Sequence, residues 1–173
     1  RKLSFSQNID MLFFEVGGEL ENEFNHLYNT LFVNSEKYIN IVEALSKKRA
    51  GLTREELIKA LGRTTNGDFT KMLNNLVLSG FVRAISFYGN KKKNTIYQLC
   101  DFYTTFYFRY IKDNYGKDEH YWSNSVDNPA RRAWKGLVFE QICLDHVSQI
   151  KFKLGISGIL SEQSSWFSVA NEE

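Results

Sequence analysis

The feature that most constrains this chain is a helix that stops and turns at once into a hairpin. Phe69, Met72, Leu73, Leu76 and Val77 recur at i, i+3, i+4, i+7 and i+8, which sets them along one stripe of a helix over 67–79. Ser79-Gly80 ends that helix. Phe81 to Phe87 then reads as a strand, Gly89-Asn90-Lys91-Lys92-Lys93-Asn94 as a turn with a basic tip, and Thr95 to Leu99 as the return strand.

Two more helices precede this pair. Residues 36–46 carry Tyr38, Ile41, Val42 and Leu45 on one face, and the basic loop Lys47-Lys48-Arg49-Ala50-Gly51 ends them. Thr53 with Glu56 three residues on forms a capping box, so a helix starts there, runs through Leu57 and Ile58 to Leu61, and stops at Gly62. The polar turn Arg63-Thr64-Thr65-Asn66-Gly67 leads into the third helix. Three short helices and a basic-tipped hairpin are the order of a winged helix-turn-helix. The expected fold class is mainly α with a small β-hairpin wing. The winged helix-turn-helix spans 37–100, with helices over 1–36 and the start of an α/β C-terminal domain over 101–173.

In the first flank, a break at Gly17-Gly18 precedes a helix marked by Leu20, Phe24, Leu27, Tyr28 and Leu31, with Glu19, Glu21 and Glu23 near its first turn. In the second, Phe102, Tyr103, Phe106, Tyr107, Phe108 and Tyr110 make a helix apolar nearly all round, which is expected in a core rather than on a stacking surface. Residues 113–130 read as a connection, Trp134 to Ile150 as a helix, and Gly155–Ile159 and Ser164–Phe167 as the beginnings of strands.

Net charge is +2, but it is unevenly spread. Lys37 to Cys100 holds twelve Lys/Arg and four Asp/Glu, a net of +8, and the remainder carries −6. Such contrast suits a module that faces a polyanion, or a basic face that meets the acidic remainder of its own protein. In a winged helix the third helix enters the major groove and the wing touches the backbone. The face opposite the apolar stripe holds Asp68, Thr70, Lys71, Asn74 and Asn75. Thr64, Thr65 and Asn66 lie at the helix start, where free N–H groups can hold a phosphate. Asn pairs with adenine, and Lys91, Lys92 and Lys93 are phosphate-type contacts, to which Lys47, Lys48 and Arg49 add. Asp68 opposes tight binding. Duplex DNA is thus the expected partner of Thr64, Thr65, Asn66, Thr70, Lys71, Asn74, Asn75, Lys91, Lys92 and Lys93.

Catalytic signatures are sparse. The chain has no G-x-x-x-x-G-K-[ST] loop and no local Ser/His/Asp or Cys/His pattern. Asp145 and His146 are adjacent in a helix and point to different sides. Glu140, a lone carboxylate in the apolar run Gly136–Cys143, is a weak candidate, with a half-exposed or Lys-paired side chain as the bland reading. His26, His120 and His146 are too far apart for a zinc signature, and Cys100 and Cys143 read as reduced, buried thiols. No apolar run approaches the ~20 residues of a membrane span, and the start lacks the features of a signal peptide, so a cytoplasmic location is expected. The start without Met and the end at Asn171-Glu172-Glu173 suggest a piece of a longer protein.

The segments 7–32, 51–62 (GLTREELIKALG), 70–101, 102–111 (FYTTFYFRYI) and 134–159 resemble, in order, the C-terminal part of prokaryotic P-loop ATPases of the archaeal AAA type. The resemblance implies that 1–36 is the tail of an ATPase lid, 37–100 the family's winged helix, and 101–173 the opening of a restriction-endonuclease-like domain. Glu140 matches the helix Glu that assists a metal site in such domains; the later Asp and E-x-K strand are absent, as are the Walker segments. It implies that this chain neither hydrolyses ATP nor cuts DNA. ATP and magnesium belong to the parent protein, and the remainder of that ATPase, or further copies of it, would be partners. Winged helices also serve as protein–protein modules, packing on a neighbouring ATPase subunit.

Overall fold

The structure, a computed structural model, describes residues 2–62, 67–85 and 95–161. It is mainly helical with one small three-stranded antiparallel sheet. The chain divides into two compact units, one built on 36–101 and the other on 1–35 with 102–159.

In the first of these, α3 (Ser35–Ser46) buries Tyr38, Ile41, Val42 and Leu45, the face marked by the sequence. Helix α4 (Arg54–Ala60) opens with the expected capping box. The Glu56 amide donates to Thr53 Oγ1 at 3.2 Å, and the Thr53 amide donates to Glu56 Oε2 at 2.8 Å. Helix α5 (Gly67–Leu78) buries Phe69, Met72, Leu73 and Leu76. It ends in a Schellman turn: Gly80 takes φ +78°, its amide donates to Val77 O at 3.1 Å, and the Phe81 amide donates to Leu76 O at 3.0 Å. That turn delivers the chain straight into β2 (Val82–Ile85), which pairs with β3 (Ile96–Leu99) in the register Val82↔Leu99 to Ile85↔Ile96.

A third strand, β1 (Leu52–Thr53), was not expected from the sequence. It pairs on the other side of β3, Leu52 opposite Tyr97 and Thr53 opposite Ile96, so β3 is central. Gly51 makes this possible. Its φ is +84°, and a Cβ there would lie 2.5 Å from Ile96 Cγ2 and 2.6 Å from Tyr97 O.

The other unit is built on aromatic packing. Helices α1 (Phe5–Phe13), α2 (Glu23–Leu31) and α6 (Phe102–Phe106) combine with a π-helical turn over Tyr107–Ile111 that continues α6. Phe14, Phe106, Tyr110, Ile111 and Trp122 form its core. Phe24 stacks on Tyr107 with ring centroids 3.7 Å apart, and the buried Tyr28 Oη and Thr104 Oγ1 share a hydrogen bond of 3.0 Å. From Tyr103 to Tyr110 the aromatic run therefore packs ring on ring, as its composition suggested, whereas Phe102 is exposed.

Short helix α7 (Tyr121–Asn124) lies inside the stretch read as a connection, and it is fastened at both ends. Asp10, 1% exposed, accepts from the Trp122 amide at 2.7 Å and the Ser123 amide at 3.0 Å, and also from Ser123 Oγ. Arg131, 4% exposed, donates to Trp122 O and to Ser125 Oγ, and its guanidinium lies 3.6 Å from the Trp122 ring centroid. Negative charge at the amide end and positive charge at the carbonyl end both suit the helix dipole.

Several expectations need correction. The helix expected over 134–150 starts five residues earlier, because Asn128 caps it and Pro129 occupies its first turn. It is α8 (Pro129–Asp145), broken at His146 from α9 (Val147–Lys153). Residues 155–159 form turns rather than a strand, so the described residues hold no sheet in the C-terminal region; 164–167 lie outside them. Cys100 and Cys143 are free and half-buried rather than buried; Cys100 lies just past the end of β3, where its Sγ donates to Gly80 O at 3.3 Å. Leu31 is exposed although it continues the α2 stripe. Among the described residues no helix is long and apolar enough to cross a membrane.

Candidate nucleic-acid interface

Burying Phe69, Met72, Leu73 and Leu76 turns the opposite face of α5 outward. Asp68, Thr70, Lys71 and Asn74 are exposed there, and Asn75 is half-buried. These residues share a surface, but they are not equally free to bind. Asn75 Nδ2 donates to Tyr38 Oη at 2.9 Å, which ties α5 to α3. Thr70 Oγ1 accepts from Arg54 Nε at 3.3 Å, which ties α5 to α4. Lys71 and Asn74 have no partner among the described residues, and their polar groups face solvent.

The basic loop before α4 is partly neutralised. Lys48 Nζ lies 2.8 Å from Glu56 Oε1, and Lys47 Nζ lies 4.0 Å from Glu43 Oε1. Lys48 beside Glu56, followed by the Thr53 amide, holds the Glu56 carboxyl below its usual pKa. Exposed pairs of this kind add little stability, and solvent screens them. Arg49 is anchored through its backbone, where its carbonyl accepts from Gln98 Nε2 at 3.0 Å.

Thr64, Thr65 and Asn66, and Lys91, Lys92 and Lys93, lie outside the described residues. Glu140 is exposed on α8. Among the described residues no group of three or more His, Cys, Asp or Glu is placed to hold a metal ion.

Sequence reading did not single out Arg54 or Tyr38 in this surface. Both act through side chains far away in sequence, 16 residues in one case and 37 in the other, so no local motif marks them. Comparison with protein-family models, with curated proteins and with solved structures finds no match.

Proposed function

We propose that residues 37–100 act as a winged helix-turn-helix that binds duplex DNA through α5 and the lysine-rich segment 89–94. The observation that carries this reading is the outward face of α5, where Lys71 and Asn74 are exposed and have no partner among the described residues. It is supported by the element order, three helices followed by paired strands, and by the net +8 of residues 37–100. The sequence resemblance extends the proposal: the module belongs to the non-catalytic C-terminal segment of an archaeal-type AAA ATPase and links its motor to a nuclease-like domain.

The test is fluorescence anisotropy with a labelled duplex at two salt concentrations. Binding should weaken steeply with salt, with a log–log slope of about one per phosphate neutralised. Replacing Lys91, Lys92 and Lys93 together by Gln should flatten that slope. Absent or salt-independent binding by the folded protein would rule the reading out.

One observation favours a second reading, an interaction module that packs on a neighbouring ATPase subunit. Lys47, Lys48, Thr70 and Asn75 are already engaged within the unit, which leaves less of the basic surface for phosphates. In that case the triple Gln variant would change self-association and not DNA affinity.

A further inference from the structure

We infer that Arg54 is a phosphate-binding residue of this surface and that Thr70 is its positioning residue rather than a reader of bases; the inference rests on the DNA-binding reading above. Arg54 is the first residue of α4, and its Nε donates to Thr70 Oγ1 on α5 at 3.3 Å. Its guanidinium also lies 6.0 Å from the centroid of the buried Phe69 ring. A guanidinium has five N–H donors in a fixed plane. With Nε committed to Thr70, the plane is oriented and the four terminal N–H groups remain available. Among the described residues none of them has a partner.

The carboxylate of the α4 capping box is engaged elsewhere. Glu56, two residues on, gives Oε2 to the Thr53 amide and Oε1 to Lys48, both at 2.8 Å. The capping box thus starts α4 and engages both oxygens of its own acid. A fork held by one bond and presented beside the exposed face of α5 suits a phosphate oxygen pair, because bidentate contacts are what Arg makes best. Accepting from Arg54 fixes the Thr70 hydroxyl beside the guanidinium, whereas Lys71 and Asn74 are non-acidic polar side chains of α5 without a partner among the described residues.

Anisotropy titrations of the whole chain on a labelled duplex, over a salt series, test this with three variants whose folding is checked by circular dichroism. Arg54→Ala should weaken binding and flatten the log–log salt slope by about one. Arg54→Lys keeps the charge but not the bond, so it should retain the slope and bind several-fold more weakly. Thr70→Val keeps the shape without the acceptor and should match Arg54→Lys, with no further loss when the two are combined. If wild type binds and Arg54→Ala keeps its affinity and slope, the assignment of Arg54 fails. If Thr70→Val binds like wild type, its positioning role fails. If wild type does not bind duplex at all, the functional reading itself is wrong and the assignment falls with it.

Discussion

Glu56 shows how much one side chain settles at the start of α4. It satisfies an amide that the first turn leaves without a partner, and it pairs with Lys48. Removing the reciprocal group, Thr53→Ala, should cost about 1 kcal/mol in urea denaturation. The pH dependence follows from the lowered pKa of Glu56. A carboxyl depressed in the folded state stabilises the fold above its unfolded pKa, and that contribution is lost as pH falls through the folded value. The affected window therefore lies below about 4.5, the ordinary glutamate value. Glu56→Gln can still accept from the Thr53 amide but cannot titrate. Its stability should vary less than that of wild type as pH is lowered through this window. Parallel curves for the two proteins would mean that Glu56 does not contribute to the acid sensitivity.

At the scale of elements, the connections decide more than the helices do. Gly51→Ala would force a side chain into the left-handed region and against Ile96 and Tyr97. The conformational cost alone is about 1–2 kcal/mol, and the close contact adds to it, so β1 should detach from β3. Faster amide exchange at the β1–β3 pair, with β2–β3 protected, is the expected signature; unchanged exchange would mean that the backbone there accommodates a Cβ. Asp10 plays the corresponding part for α7. Asp10→Ala leaves one buried and one part-buried amide without their acceptor and Arg131 with less nearby negative charge, so about 3 kcal/mol should be lost in urea denaturation. These two connections also mark the limit of what the sequence discloses. The α3 and α5 stripes, the Thr53–Glu56 box and the Ser79-Gly80 stop are local patterns, and each could be read residue by residue. A two-residue strand has no periodicity, and Asp10 reaches Trp122 across 112 positions. The start of α8 is legible in Asn128-Pro129, where a cap precedes a proline, although the large apolar residues of the helix begin only at Trp134. At the candidate interface the outward residues of α5 were legible from the stripe. Which of them were already engaged was not, because Tyr38 and Arg54 come from other helices.

At the scale of the whole molecule, the two units have their apolar surface distributed differently. Residues 36–85 bury most of their large apolar side chains, and only Leu78 among them is strongly exposed. The stretch from α8 onward does the reverse. Phe139 is 67% exposed, Phe152 73% and Leu154 66%, and α9 buries no residue. A soluble surface rarely carries so many large apolar groups in one short stretch, and such patches promote association. Their stability cost is a separate matter, because an exposed side chain loses little packing when it is truncated, usually within about 0.5 kcal/mol. Replacing Phe139 and Phe152 together by Ser should therefore leave the urea midpoint almost unchanged. The same variant should bind less of a dye that reports exposed apolar surface, and light scattering at high protein concentration should fall. The opposite pattern, a lower midpoint with undiminished dye binding, would mean that these rings are packed in solution and that α8 and α9 contribute to the core of their unit.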